Sequence, residues 1–160
     1  MFRGNIGAIV LMAVGFLVVV LAFQYFFAEI TRDHFSSGNT HLANKEYDKA
    51  IADYTQAVKQ DPNDARPHER LAWVLATAAK DELRDGNKAV EYAKKACELT
   101  DWKKPDYLAT LSAAFAESGD FQEAIKWQTK ALEAPELPKY KDKEYRKRLK
   151  MFQEGIPYRE

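Results

Sequence analysis

Three times along the chain an alanine with an aliphatic neighbour is followed, seven residues on, by a second alanine beside a small or aliphatic residue. The pairs are Ala50-Ile51 with Ala57-Val58, Ala89-Val90 with Ala96-Cys97, and Ala124-Ile125 with Ala131-Leu132. From Ala50 to Ala89 is 39 residues and from Ala89 to Ala124 is 35. Seven residues is two helical turns, so each pair marks one stripe of a helix. Alanine on that stripe lets a second helix approach closely, and an aromatic beside it fills the gap that remains. Tyr47 and Phe121 stand three residues ahead of their alanines in the first and third copies. A single helical hairpin cannot bury its apolar face alone, so neighbouring copies must stack.

Asp61-Pro62-Asn63 closes the first copy with a helix stop and a turn, and Pro105 can open the first helix of the third. With these features the chain resembles the tetratricopeptide-repeat (TPR) family, whose period is about 34 residues. Gly38, Tyr47, Ala50, Tyr54, Ala57 and Pro62 match the family pattern in the first repeat. Ala72, Ala89 and Ala96 match in the second, and Phe121, Ala124 and Ala131 in the third. The resemblance covers about residues 31–136. Departures are equally visible. His34, His68 and Leu108 stand where the family often has tryptophan, and Gly86 stands where an aromatic is expected. About five extra residues around Lys80–Gly86 lengthen the turn inside the second repeat.

Composition divides the chain near residue 28. Residues 1–27 carry one charge, Arg3, although 30% of the chain is charged. Residues 6–27 are apolar but for Gln24 and two glycines. At about 1.5 Å per residue they are long enough to cross a bilayer, and Tyr25-Phe26-Phe27 suit its far boundary. A cleaved secretory signal would have a shorter apolar core and small residues at the cut. Arg3 and the terminal amine favour an inside amino end, which places the repeats on the non-cytoplasmic side. Phe16 to Ser37 contains neither proline nor glycine, so the membrane helix is expected to run on into the first repeat helix.

The expected architecture is therefore all-α. Residues 1–28 form a transmembrane anchor, and 29–138 hold three TPR-like repeats (about 31–64, 65–104 and 105–138). Residues 139–160 form a basic capping helix and tail. That last segment has seven basic side chains over residues 139–150, against Asp142 and Glu144. Tyr145, Leu149 and Phe152 make an apolar stripe suited to packing on the last hairpin. Anionic lipid head groups are the alternative partner for its basic face.

The formal net charge is zero, which argues against nucleic acid as a partner. Cys97, the single cysteine, falls at a packing position of the repeat. His34 and His41 lie seven apart, wider than the spacing of a helical metal pair. No catalytic constellation, metal site or cofactor motif is recognisable, and an enzyme is not expected.

The resemblance implies that ligands lie in a concave groove lined by the first helix of each repeat. On that face stand Phe35, Asn39, Arg66, Glu69, Arg70, Trp73 and Asp106, with Arg32, Thr110 and Glu117 nearby. One TPR subgroup holds carboxyl-terminal peptide tails in a basic clamp. Asn39 occupies its asparagine position, but Phe35, Asp106 and Thr110 replace its basic ones. The expected function is a membrane-anchored, non-enzymatic adaptor binding a partner peptide or helix. The alternative is a structural subunit of a membrane complex assembled through its transmembrane helix, where Gly4, Gly7 and Ala8 offer small packing residues.

Overall fold

The computed structural model describes residues 17–18 and 34–160. The membrane segment expected over residues 6–27 and the uninterrupted helix through 28–33 lie outside the described residues, Leu17 and Val18 excepted. Those two are helical and exposed. Among the described residues no helix is long and apolar enough to cross a membrane.

Helix α1 is described over 34–43. It is followed by α2 (Tyr47–Gln60), α3 (Ala65–Thr77), α4 (Gly86–Leu99), α5 (Pro105–Glu117), α6 (Phe121–Glu133) and α7 (Lys139–Gln153). Helix starts follow local chemistry. Asp64, Asp85 and Asp120 each accept a hydrogen bond from a backbone N–H of the helix they precede, at 2.9, 3.0 and 3.1 Å. Pro105 occupies the first turn of α5, where its missing N–H costs nothing.

Neighbouring helices stack in an all-α, TPR-like solenoid. α2 packs on α3, α3 on both α4 and α5, and α6 on both α5 and α7. Its centre is built on alanine: Ala50, Ala57, Ala72, Ala89, Ala96, Ala124 and Ala131 are all fully buried. Tyr54 and Leu71 fill the space these leave. The extra residues of the second repeat form a single 3-10 turn, Asp81–Leu83. Gly86 belongs to the same region, and its lack of a side chain has a direct cause. A Cβ there would lie 2.5 Å from the Ser118 backbone nitrogen, so only glycine lets the start of α4 pass the end of α5.

The basic segment joins the stack through its buried face. Tyr145, Arg148 and Phe152 are buried, and Leu149 is half-buried. Inside the third hairpin Ser112 donates to Gln128 Oε1, and Gln128 Nε2 donates to the Tyr145 carbonyl at 3.2 Å. This buried polar chain ties α5, α6 and α7 together.

Candidate functional site

Arg66, Glu69, Arg70 and Trp73 are spaced three, one and three apart, which puts them on one face of α3. That face forms the floor of a cleft of about 270 Å³. Phe35 of α1 closes one side, Asp106, Tyr107 and Thr110 of α5 the other, and Lys141, Glu144, Tyr145 and Arg148 of α7 the end. Six of the seven residues placed on the groove by sequence thus share one cavity. Asn39 is elsewhere: its Oδ1 accepts a hydrogen bond from Tyr54 Oη at 2.9 Å, a tie within the first hairpin. His34 and His41 also turn away from the groove, to Asp53 on α2, at 3.5 and 2.9 Å.

The charges of the cleft differ in how far they are already engaged. Asp106 accepts from Lys141 Nζ at 2.6 Å and from the Tyr145 hydroxyl. Burial pushes the Asp106 carboxyl up, but the hydrogen bonds from Lys141 and Tyr145 outweigh it and hold it below the usual range. Glu69 is buried and accepts from Thr110 Oγ1 at 2.7 Å. Burial raises its carboxyl above the usual value despite Arg70 and Thr110. Arg66 pairs with Asp64 and lies over the Phe35 ring, 5.0 Å from its centroid. Arg148 pairs with Glu144, and its guanidinium lies against both Trp73 and Tyr158, 4.7 and 4.6 Å from their ring centroids.

Arg70 stands apart from these. Its side chain is 46% exposed, and its one ion pair among the described residues is with Glu69 Oε2 at 3.5 Å. It is the cation of the cleft with the most capacity to spare. Four basic and three acidic side chains line the cavity, a formal excess of one positive charge. The cleft therefore leans positive.

Sequence reasoning seated α7 on the last hairpin through Tyr145, Leu149 and Phe152 but missed that Lys141, Glu144, Tyr145 and Arg148 line the cleft. Lys141, Tyr145, Arg148 and Phe152 recur at spacings of four, three and four, a helical stripe present in the sequence. Because two of the four are basic, the stripe is concealed within a run of charged residues.

The architecture is that of a helical repeat module with a cleft along one face, and comparison with known proteins agrees on the fold. Residues 38–77 match the family model described as TPR repeat, and residues 105–136 match that described as tetratricopeptide repeat. Repeats of the TPR type are thus shown at residues 38–77 and 105–136. No curated protein matches the chain. Among solved structures it is similar to the first TPR of Spaghetti (RPAP3) bound to the HSP90 peptide SRMEEVD, with 19% identity and a TM-score of 0.65. That match covers 79% of this chain and 92% of the other. It is also similar to the Arabidopsis OM64 TPR domain, at 23% identity and TM-score 0.64, covering 78% of this chain and 97% of that one. A third is the Sgt2 TPR domain from Aspergillus fumigatus, at 24% identity and TM-score 0.59, covering 78% and 82%. At these identities the likeness speaks for the fold.

Proposed function

We propose that this protein is a membrane-anchored adaptor. Residues 6–27 hold it to a bilayer, the repeat domain stands on the non-cytoplasmic side, and the cleft captures a peptide or helix of a partner protein. The observation that carries this reading is the exposed Arg70, with its unspent hydrogen-bonding capacity, on a floor flanked by Phe35 and Trp73. Arginine beside aromatic side chains is the usual anchor of a protein interface. A partner carboxylate reaching Arg70 would gain a charge-assisted hydrogen bond in a partly desolvated site.

One TPR relative has been seen with an HSP90 peptide, which supports a peptide as the kind of ligand this fold accepts. The basic groups differ in this chain, coming from α3 and α7 while Asp106 is held by Lys141. That arrangement speaks for a partner other than a chaperone tail held in the usual clamp. The apolar segment supports the anchoring: confinement to two dimensions raises the effective concentration of the cleft for other membrane proteins.

The test is a crosslinking pull-down from intact membranes, comparing wild type with an Arg70→Ala/Trp73→Ala variant. Defined partners lost in the variant support the adaptor. The same partners retained in the variant would move binding to the anchor or the basic helix and remove the cleft from the function.

A further inference from the structure

Helix α7 does not end the chain's contact with the groove. Gly155, in the left-handed region at φ 73°, reverses the backbone, with its N–H donating to the Phe152 carbonyl at 3.1 Å. The Ile156 N–H donates to the Met151 carbonyl at 2.9 Å, completing a glycine cap of the Schellman kind. Residues 156–160 then return across the last turns of α5 and α3. Arg159 forms an ion pair with Glu117 of α5. Trp73 Nε1 donates to Glu160 Oε1 at 2.9 Å, and the Glu160 backbone N–H donates to the Thr77 carbonyl at 2.9 Å. That carbonyl is one of those a helix end leaves without an intrahelical partner. The Tyr158 ring lies 5.7 Å from that of Trp73, with Arg148 against both.

The segment therefore lies along the concave face as a peptide ligand would, with one main-chain hydrogen bond and three side-chain anchors. It occupies the end of the groove beyond Trp73, while the open cleft lies on the other side of that residue. Its hold is light. Tyr158 and Arg159 are half-buried, and Ile156 and Glu160 are exposed. Just before the glycine, Phe152 and Tyr145 are 1% and 3% exposed. A firmly seated helix and a lightly held segment meet at one glycine.

We propose that residues 156–160 are an internal ligand of the groove. They compete there with a partner segment of the same chemistry: extended, with an aromatic side chain followed by a basic and then an acidic one. This rests on the adaptor reading and adds what the far end of the groove accepts and what holds it shut. Covalent attachment gives the segment an effective concentration on the order of millimolar. A segment docked about 90% of the time lowers a competitor's apparent affinity about tenfold.

The probe is a synthetic peptide of residues 155–160, Gly-Ile-Pro-Tyr-Arg-Glu, titrated into the full chain in mild detergent. The readout is the indole N–H resonance of Trp73 by NMR, for wild type and for Tyr158→Ala/Arg159→Ala. In the variant this resonance is expected to leave its wild-type position and to return as peptide is added, with an apparent Kd at least about tenfold below that for wild type. Arg159→Glu, which reverses the ion pair with Glu117, is the second variant and should behave alike. An unmoved resonance in either folded variant, or equal peptide affinity in variant and wild type, overturns the proposal. The readout needs no partner protein. Partners captured through Arg70 with no peptide response would remove this inference alone, and a peptide response with no captured partner would remove the adaptor reading alone.

Discussion

The ammonium of Lys141 lies 2.6 Å from the carboxylate of Asp106, a pair 35 residues apart that fastens α7 to the start of α5. Tyr145 donates to the same carboxylate, so one acidic side chain receives two donors from the capping helix. The pair closes the end of the cleft and removes Asp106 from the charges free to meet a ligand.

Asp106→Asn should therefore destabilise the domain by about 1 kcal/mol at pH 7, the value of a charged hydrogen bond discounted for its half-exposed setting. The folded carboxyl titrates below its unfolded value of about 3.9. Its contribution is complete above that pH and is lost as pH falls through the folded value. Urea unfolding at pH 7 and pH 3 checks this: the gap between wild type and variant should narrow at the lower pH.

Glu69 has the opposite sign. Its folded carboxyl titrates above the unfolded value of about 4.3, so the folded state holds the proton more tightly. Its contribution favours folding below that pH and is lost as pH rises through the folded value. Glu69→Gln keeps an oxygen to accept from Thr110 and has no charge to bury. It should raise stability at pH 8 by about 1 kcal/mol, and the gain should shrink toward pH 4. Melting temperatures at the two pH values decide it, and a loss at pH 8 would contradict the account.

Gly86→Ala sets helix propensity against sterics. Alanine gains up to about 1 kcal/mol within a helix. The new methyl, however, would lie 2.5 Å from the Ser118 nitrogen and 2.7 Å from the Glu117 carbonyl carbon, both backbone atoms that cannot step aside. Overpacking of this kind costs about 1–3 kcal/mol, so the net effect should be destabilising. A rise in melting temperature would show that the α4–α5 approach relaxes freely.

The Cys97 thiol is fully buried, and burial pushes its pKa up to about 12. Thiolate is the reactive form, so at pH 8 the folded protein should react with a maleimide only through opening of the helices. The labelling rate should follow denaturant-induced unfolding. Fast labelling of the folded chain would place this thiol at the surface.

What could be read in advance follows from what is local. The alanine pairs at seven-residue spacing and the aspartate and proline starts belong to single helices, so they appear in the sequence as periodicity and caps. The α3 face from Arg66 to Trp73 was legible for the same reason, since one helix with known neighbours decides which side chains share a surface. Asn39 was placed correctly on its helix, but the hydroxyl that engages it belongs to Tyr54, fifteen residues on.

The polar half of the groove was decided only by tertiary structure. Lys141 and Arg148 belong to a segment whose composition suggests solvent, and their long side chains become structural only because Asp106, Glu144 and Trp73 are brought beside them. The return of residues 156–160 depends on Thr77, Glu117 and Trp73, contributed by two other helices. Periodicity determines helices because their hydrogen bonds close within four residues. Pairings of charge and aromatic side chains across the groove depend on distances that exist only once the hairpins have stacked.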